Sequence, residues 1–338
     1  MAMRTIGDQA RAYTLQNSSL RLKNTLHTLT DEMTSGRVSD VAQRLGGNTT
    51  EISGIESRLR VLKEYQQVNG EVAHRLDSMQ IVIRTIQSSA TSLSDDLLLN
   101  ATAASGLVIK TQSHQAADAF RAAVGHLNIE VGGRYLFGGI ETDHAPLRDG
   151  QRILDELITR TASLTTAGDI EQFVSNWFDA PAGGGGFVDF AYLGSQGNTQ
   201  GVAITEQDQV VLNVDATHPA VVSTLKGLSM TVLSSHGAID GQLSEQRALL
   251  HSSSLVLLGA AHSLTSTQSQ LGLSEDRVAR AEARNSSALL SLETARNTIT
   301  SADPFETASA LAEVQTQMET LYSITARLSN LKLVDYLR

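Results

Sequence analysis

Apolar residues recur at steps of three and four along both ends of this chain, and that pattern restricts it to long helices that need partners. Near the start, Leu15, Leu22, Leu26, Leu29 and Met33 follow one another at steps of 7, 4, 3 and 4. That spacing sets them in one stripe along a helix, which Ser35-Gly36 ends. Near the finish, Leu311, Val314, Met318, Leu321, Thr325 and Leu328 continue the same pattern, followed by Leu331, Leu333 and Leu337. Asp303-Pro304 marks the start of that helix, because a proline in the first turn loses no hydrogen bond. A lone helix with one narrow apolar stripe is marginal in water. The two ends are therefore expected to cover each other, with neighbouring copies burying the remainder.

Longer seams lie inside these. Ile52, Ile55, Leu59 and Leu62 lead through Gln66 and Asn69 into Val72, Leu76, Met79, Ile83, Ile86, Ala90, Leu93 and Leu97, nearly all at steps of three or four. Unbroken, residues 51–99 would form a rod of roughly 70 Å at 1.5 Å per residue, with Gly70 as the expected bend. A third helix is expected from Ser113 to Val131, ended by Gly132-Gly133. Val278, Ala281, Asn285, Ala288, Leu292, Ala295, Ile299 and Ala302 mirror the pattern with small residues that allow close helix approach.

Three of the four prolines, Pro146, Pro181 and Pro219, and the run Gly183 to Gly186 fall within residues 140–220, where the period also changes. Strands are expected at 187–193, 202–204 and 210–214, and helices at 151–179 and 219–234. The expected fold is mainly α: a long antiparallel helical coiled-coil rod made from both chain ends, carrying a small inserted α+β domain. The boundaries read as terminal assembly helices at 1–38 and 303–338, a helical rod at 39–140 and 240–302, and the insert at 141–239.

Composition narrows the chemistry. The formal charge is -10 with no basic run in the sequence, so neither nucleic acid nor an anionic membrane is an expected partner. Cysteine is absent, which removes disulfides, Cys-ligated metal centres and thiol catalysis. Aromatics at 4% and charged residues at 18%, against a usual charged share of about 25%, describe an aliphatic body with a Ser/Thr/Gln surface. The first residues carry no apolar segment of signal-peptide type, and the longest apolar run, Leu255 to Ala261, is too short to span a bilayer.

Catalytic patterns are sparse. Ser223-Thr224-Leu225-Lys226 has the Ser-x-x-Lys form, in which a lysine amine activates a serine, but lacks its companion elements and reads as a helix surface. His126 and Glu130, four apart, could share a helix face as metal ligands, with no third ligand at a recognisable spacing. His27, His74 and His114 read as surface or seam-edge residues. Gly183 to Gly186 lacks the Gly-Lys-Ser/Thr sequel of a phosphate loop. No cofactor, no metal and no enzymatic activity are implied. Gly132, Gly133, Tyr135, Phe137, Gly138 and Gly139 form a different kind of segment: glycine pairs bracketing aromatics, suited to tight packing where one domain gives way to another.

Several segments also resemble the flagellin superfamily, and within it the hook-associated junction type. Met33-Thr34-Ser35-Gly36-Arg37-Val38 looks like the family's N-terminal Leu-Ser-Ser-Gly-Lys/Arg-Ile. Gly133-Arg134-Tyr135-Leu136-Phe137-Gly138-Gly139 is similar to the Tyr-Leu-Phe-Gly-Gly stretch of junction proteins. Leu271-Gly272-Leu273-Ser274-Glu275-Asp276-Arg277 resembles Leu-Gly-Ala-x-x-Asn-Arg, and the tail to Asp335-Tyr336-Leu337 resembles the junction ending. The chain departs from the family at Ser39 to Gly47, and at Lys332, where the junction type usually has serine. The resemblance implies a non-enzymatic extracellular subunit of the bacterial flagellum, exported by a type III apparatus without a cleaved signal and active in motility. It implies self-association in a tubular assembly through the terminal helices, with a neighbouring hook-associated protein, flagellin and an export chaperone on the C-terminal helix as partners. A flagellin filament subunit, a coiled-coil signalling or adaptor protein, and a hydrolase built on the insert are the alternatives.

Overall fold

The computed structural model describes residues 6–100, 103–195 and 201–336, without the side chains of 6–8, 100 and 328–336. The fold is mainly α, as expected, with two short antiparallel strand pairs. Two compact units divide it: Met1–Lys63 with Ser287–Arg338, and Glu64–Ser286.

The first unit holds α1 (Ile6–Ser35), the single turn α2 (Val41–Arg44), the first turns of α3 (Thr50–Asn100), the last turns of α9 (Leu243–Thr300), and α10 (Pro304–Tyr336). The segment that departs from the family pattern is the α2 region. Asp40 caps it by accepting from the Gln43 amide at 2.8 Å, and Gly46 and Gly47, both at positive φ, turn the chain back toward α3. Ile52, Leu59, Leu289 and Val314 form the buried apolar contacts here, and Lys63 reaches Glu293 at 3.8 Å.

The second unit is a helical body around α8 (Pro219–Leu233). Nearly every residue of α8 from Ala220 onward is buried, as befits a central helix. Its buried hydroxyls are satisfied locally: Thr224 donates to the Ala220 carbonyl at 2.9 Å and Thr231 to Gly227 at 3.1 Å. Around α8 pack α4 (Gly106–Leu127), α5 (Gly150–Thr161), α6 (Ala167–Asp179) and the inner parts of α3 and α9. Ser113 on α4 donates to the Val232 carbonyl at 2.8 Å, tying α4 to the end of α8.

Within this unit α3 and α9 run antiparallel, held by polar rungs one heptad apart. Gln80 donates to the Gln268 carbonyl at 2.9 Å, Gln87 to the Thr265 hydroxyl at 2.6 Å, and Ser94 to the Ser254 carbonyl at 3.0 Å. Between them the seam residues Leu76, Met79, Ile83, Ile86 and Leu97 meet Leu257, Leu264 and Leu271 in the core. The helix is not interrupted at Gly70. By length and composition alone the apolar part of α9 could cross a membrane, but Leu249, Leu250, Leu257 and Leu264 point into this core.

Several sequence expectations are corrected. The third helix begins at Gly106 and stops at Leu127, because Asn128 caps it and exchanges two 2.9 Å hydrogen bonds with the Leu147 backbone. Gly132-Gly133 is instead the tip of a hairpin between β1 (Glu130–Val131) and β2 (Arg134–Tyr135). Both glycines take positive φ, +60 and +79°, as a two-residue primed turn requires. The helix expected over 151–179 is two helices, broken before Thr166, which caps α6. The strand expected at 187–193 is a helical turn, α7 (Phe187–Phe190). A helical turn places Phe187 and Phe190, three apart, on one aromatic cluster with Trp177 and Phe178, which alternation would not do. Farther on, among the described residues, only Val202–Ala203 (β3) and Gln209–Val210 (β4) pair as strands.

His218 is the N-cap of α8: its Nδ1 accepts from the Ala220 amide at 3.3 Å, with Pro219 at the first helical position. Burial pushes its pKa below the ordinary 6.5, partly opposed by Asp215. The unfolded chain therefore binds a proton that the folded cap excludes, so stability from this group is present above about pH 6.5 and is lost as pH falls through the folded value. His218→Asn keeps an acceptor at the cap but does not titrate. Urea denaturation followed between pH 7.5 and 5 is expected to show a flatter stability profile for His218→Asn than for the parent chain.

Candidate assembly surface

The first and last helices meet at their inner ends through backbone bonds. Gly36, at φ +66°, turns the chain out of α1, and its carbonyl accepts from the Ala302 amide at 3.0 Å. Val38 donates to the Thr300 carbonyl at 2.9 Å, and Arg37 and Ser301 form an antiparallel bridge. Arg44 of α2 adds a 2.6 Å hydrogen bond to the Ser301 carbonyl. Asp303 accepts from the Phe305 and Glu306 amides and so starts α10. With α10 beginning where α1 ends, the two helices pack antiparallel.

This pairing covers the predicted stripes only in part. Leu15, Leu22, Leu26 and Leu29 on α1 and Leu311, Met318 and Leu321 on α10 are half-buried; Val314 alone is buried, at 8% exposure, and Met33 is 47% exposed. The side chains of Leu328, Leu331 and Leu333, and Leu337 altogether, lie outside the described residues. A second apolar set, invisible to the stripe pattern, is open to solvent: Tyr13 and Leu20 on α1, and Phe305, Tyr322 and Ile324 on α10. Phe305 is 83% exposed. Exposed large apolar side chains also stand elsewhere, among them Leu107, Leu273 and Leu290.

The glycine-rich segment after β2 is the other predicted feature, and it packs as a hub of the second unit. Phe137 is fully buried and its carbonyl accepts from the Ala216 amide at 3.0 Å. Tyr135 donates its amide to Thr142 at 2.8 Å, and the Gly138 carbonyl accepts from Ser195 at 3.1 Å. Neither Gly138 nor Gly139 has room for a side chain. A Cβ on Gly138 would overlap the Glu141 carbonyl, and one on Gly139, already at φ +70°, would come within 2.7 Å of the Ser195 carbonyl. Tyr192 closes the hub by donating its hydroxyl to Ser195 at 3.1 Å; burial and nearby Asp215 and Glu141 raise its pKa well above the usual phenol value, so the donated proton stays in place.

The candidate chemical motifs are structurally occupied. Lys226 is committed to Asp179 at 2.6 Å rather than to Ser223. His126 lies on α4 whereas Glu130 lies on β1, so they do not share a helix face. Among the described residues no three His, Asp or Glu side chains gather to hold a metal ion. The amides of Gly183 and Gly185, which a phosphate would need, donate instead to the Asp189 carboxylate at 2.8 and 2.6 Å and hold its pKa below the usual value.

Residues 256–337 match the family described as the bacterial flagellin C-terminal helical region. That span takes in most of α9 and all of α10 to Tyr336. The resemblance to the flagellin superfamily read from the sequence is borne out there. No curated protein matches the chain. Among solved structures, a Vibrio parahaemolyticus chain provisionally assigned as a flagellar hook-associated protein is similar at a TM-score of 0.44 and 12% identity, over 73% of this chain and 95% of that one.

The hub makes a sharp demand on its glycines. Gly138→Ala is expected to destabilise the second unit by ~2–3 kcal/mol, because the obstacle is backbone and cannot rotate away. Gly132→Ala, at an exposed turn where an added Cβ meets nothing, is expected to cost about 1 kcal/mol from its positive φ alone. Chemical denaturation of the two variants checks the order.

Proposed function

We propose that this chain is a non-enzymatic structural subunit of the bacterial flagellum that joins hook to filament, assembling along a shared axis through α1 and α10. The observation that carries this reading is that the half-open stripe of α10 lies inside the segment matching the flagellin C-terminal helical region. An apolar stripe left half open by its pairing with α1 has a reason to exist when other molecules complete it. On this reading Leu15, Leu22, Leu26, Leu29, Met33, Leu311, Val314, Met318, Leu321, Leu328, Leu331 and Leu333 form the assembly interface, and Gly132 to Gly139 the passage from rod to outer domain. The partners are further copies, a neighbouring hook-associated protein, flagellin, and a chaperone that shields the C-terminal stripe before export. The site of action is outside the cell. The junction role, as opposed to that of a filament subunit, rests on Tyr135-Leu136-Phe137-Gly138-Gly139 and the Asp335-Tyr336-Leu337 ending.

Deletion separates the two roles. Loss of a junction subunit leaves the hook in place and releases filament protein into the medium as monomer, whereas loss of the filament protein releases none. Retention of full filaments in the deletion strain overturns the proposal. At the molecular level Leu22→Asp or Leu321→Asp is expected to abolish assembly, since each would bury an unpaired carboxylate in every subunit. Sedimentation of the purified variants against the parent chain reads this directly, with circular dichroism confirming that helix content is kept.

A further inference from the structure

Asn69 is followed by Gly70, and no other asparagine in the sequence precedes a glycine. In such a pair the backbone nitrogen of the glycine, once deprotonated, can attack the side-chain carbonyl carbon of the asparagine. Glycine permits this most readily, because it has no Cβ in the path and its backbone turns most freely. A bond forms from that nitrogen to Cγ, the bond from Cγ to the amide nitrogen breaks, and ammonia leaves with the proton the backbone gave up. Water then opens the five-membered imide at either carbonyl. The products are aspartate or its isomer, in which the main chain runs through the side-chain carbonyl carbon. Only water is consumed and only ammonia released, with no oxidation or reduction.

The folded chain withholds what this reaction needs. Asn69 and Gly70 lie inside α3, which runs unbroken from Thr50 to Asn100. A helical backbone commits the Gly70 amide to the carbonyl four residues back and holds fixed the dihedral that must turn for the nitrogen to reach Cγ. Asn69 is also fully buried, and both of its amide atoms are shut away from solvent.

The product, conversely, has no place in the fold. Asn69 leads into Val72 and Leu76 at steps of three and four, and all three are buried. Neither amide atom of Asn69 has a hydrogen-bond partner. A carboxylate in that position is a buried charge with nothing to pair it, and the isomer adds a backbone carbon that interrupts the helical ladder. Packing does not demand the glycine either: a Cβ on Gly70 would meet nothing within 4 Å, and alanine is the better helix former.

We infer that Asn69-Gly70 is a site of spontaneous deamidation, silent while α3 is folded and active while the chain is unfolded. A molecule left unfolded is thereby converted to one that no longer closes this seam.

The test uses the full-length chain, incubated at mildly alkaline pH with and without guanidinium chloride, the mass of the peptide containing Asn69 being followed in time. Conversion is expected to be at least about tenfold slower without denaturant, since only molecules with that turn open can react. In denaturant, Gly70→Ala is expected to convert at least about tenfold more slowly than the parent. Returned to native buffer, the converted parent is expected to show a lower urea midpoint than fresh protein, while Gly70→Ala aged alike keeps the midpoint of its own fresh sample. Asn69→Asp, prepared directly, is expected to show the same fall. Equal conversion rates with and without denaturant overturn the control by folding. An unchanged midpoint in both the converted parent and Asn69→Asp overturns the claim that the product does not fit.

Discussion

A two-helix contact can bury only one flank of each apolar stripe, and this geometric limit governs the behaviour of both chain ends. Helices α1 and α10 touch along one line, so Val314 is covered while Leu15, Leu22, Leu26 and Leu321 stay half open and Met33 stays largely in water. Tyr13, Leu20, Phe305, Tyr322 and Ile324 add further exposed apolar surface on the same two helices. The backbone bonds around Gly36 and Ala302 fix where the two helices meet, and thereby which residues are left open.

The second unit solves the same packing problem internally. Its α3 and α9 form a seam like that of a coiled coil, and α8 supplies a third helix buried on every side. The heptad-spaced rungs of Gln80, Gln87 and Ser94 set the register, because sliding one helix past the other by a turn would leave those side chains facing the wrong carbonyls. The cost of polar groups in the seam is visible at Asn69, fully buried with neither amide atom hydrogen-bonded. At that level the helix pair trades stability for a polar position in an otherwise aliphatic interface.

What could be read from the sequence follows from how local the determining interactions are. The long helices, the stop at Gly36 and the restart at Pro304 were legible because periodicity, a glycine at positive φ and a first-turn proline act within a few residues. The run Phe187 to Leu193 misled because its apolar density suits a strand, while the fold uses Phe187 and Phe190 as a pair against Trp177 and Phe178, an aromatic contact set by sequence-distant packing. By its local sequence Gly132-Gly133 reads as a helix stop; the side chain that stops the helix is Asn128, through its bonds to Leu147, nineteen residues on. The stripe residues were identified from their spacing, but Phe305 and Tyr322 lie off the stripe, and only the pairing of α1 with α10 shows them to be open.

The low share of charged residues, 18%, leaves room for threonine on α1 and α10. Threonines line the outer helices, and their hydroxyls donate to carbonyls four residues back in the same helix: Thr14 to Ala10, Thr25 to Arg21, Thr30 to Leu26, Thr316 to Ala312 and Thr325 to Leu321. Each such bond satisfies the hydroxyl before any partner arrives, so the remaining methyl can be dehydrated without orphaning a polar group. A lysine or glutamate at the same position would need a complementary charge from the neighbour or would oppose contact. Self-satisfied threonines keep these helices wettable and, on the proposed assembly reading, would let them be buried at little cost.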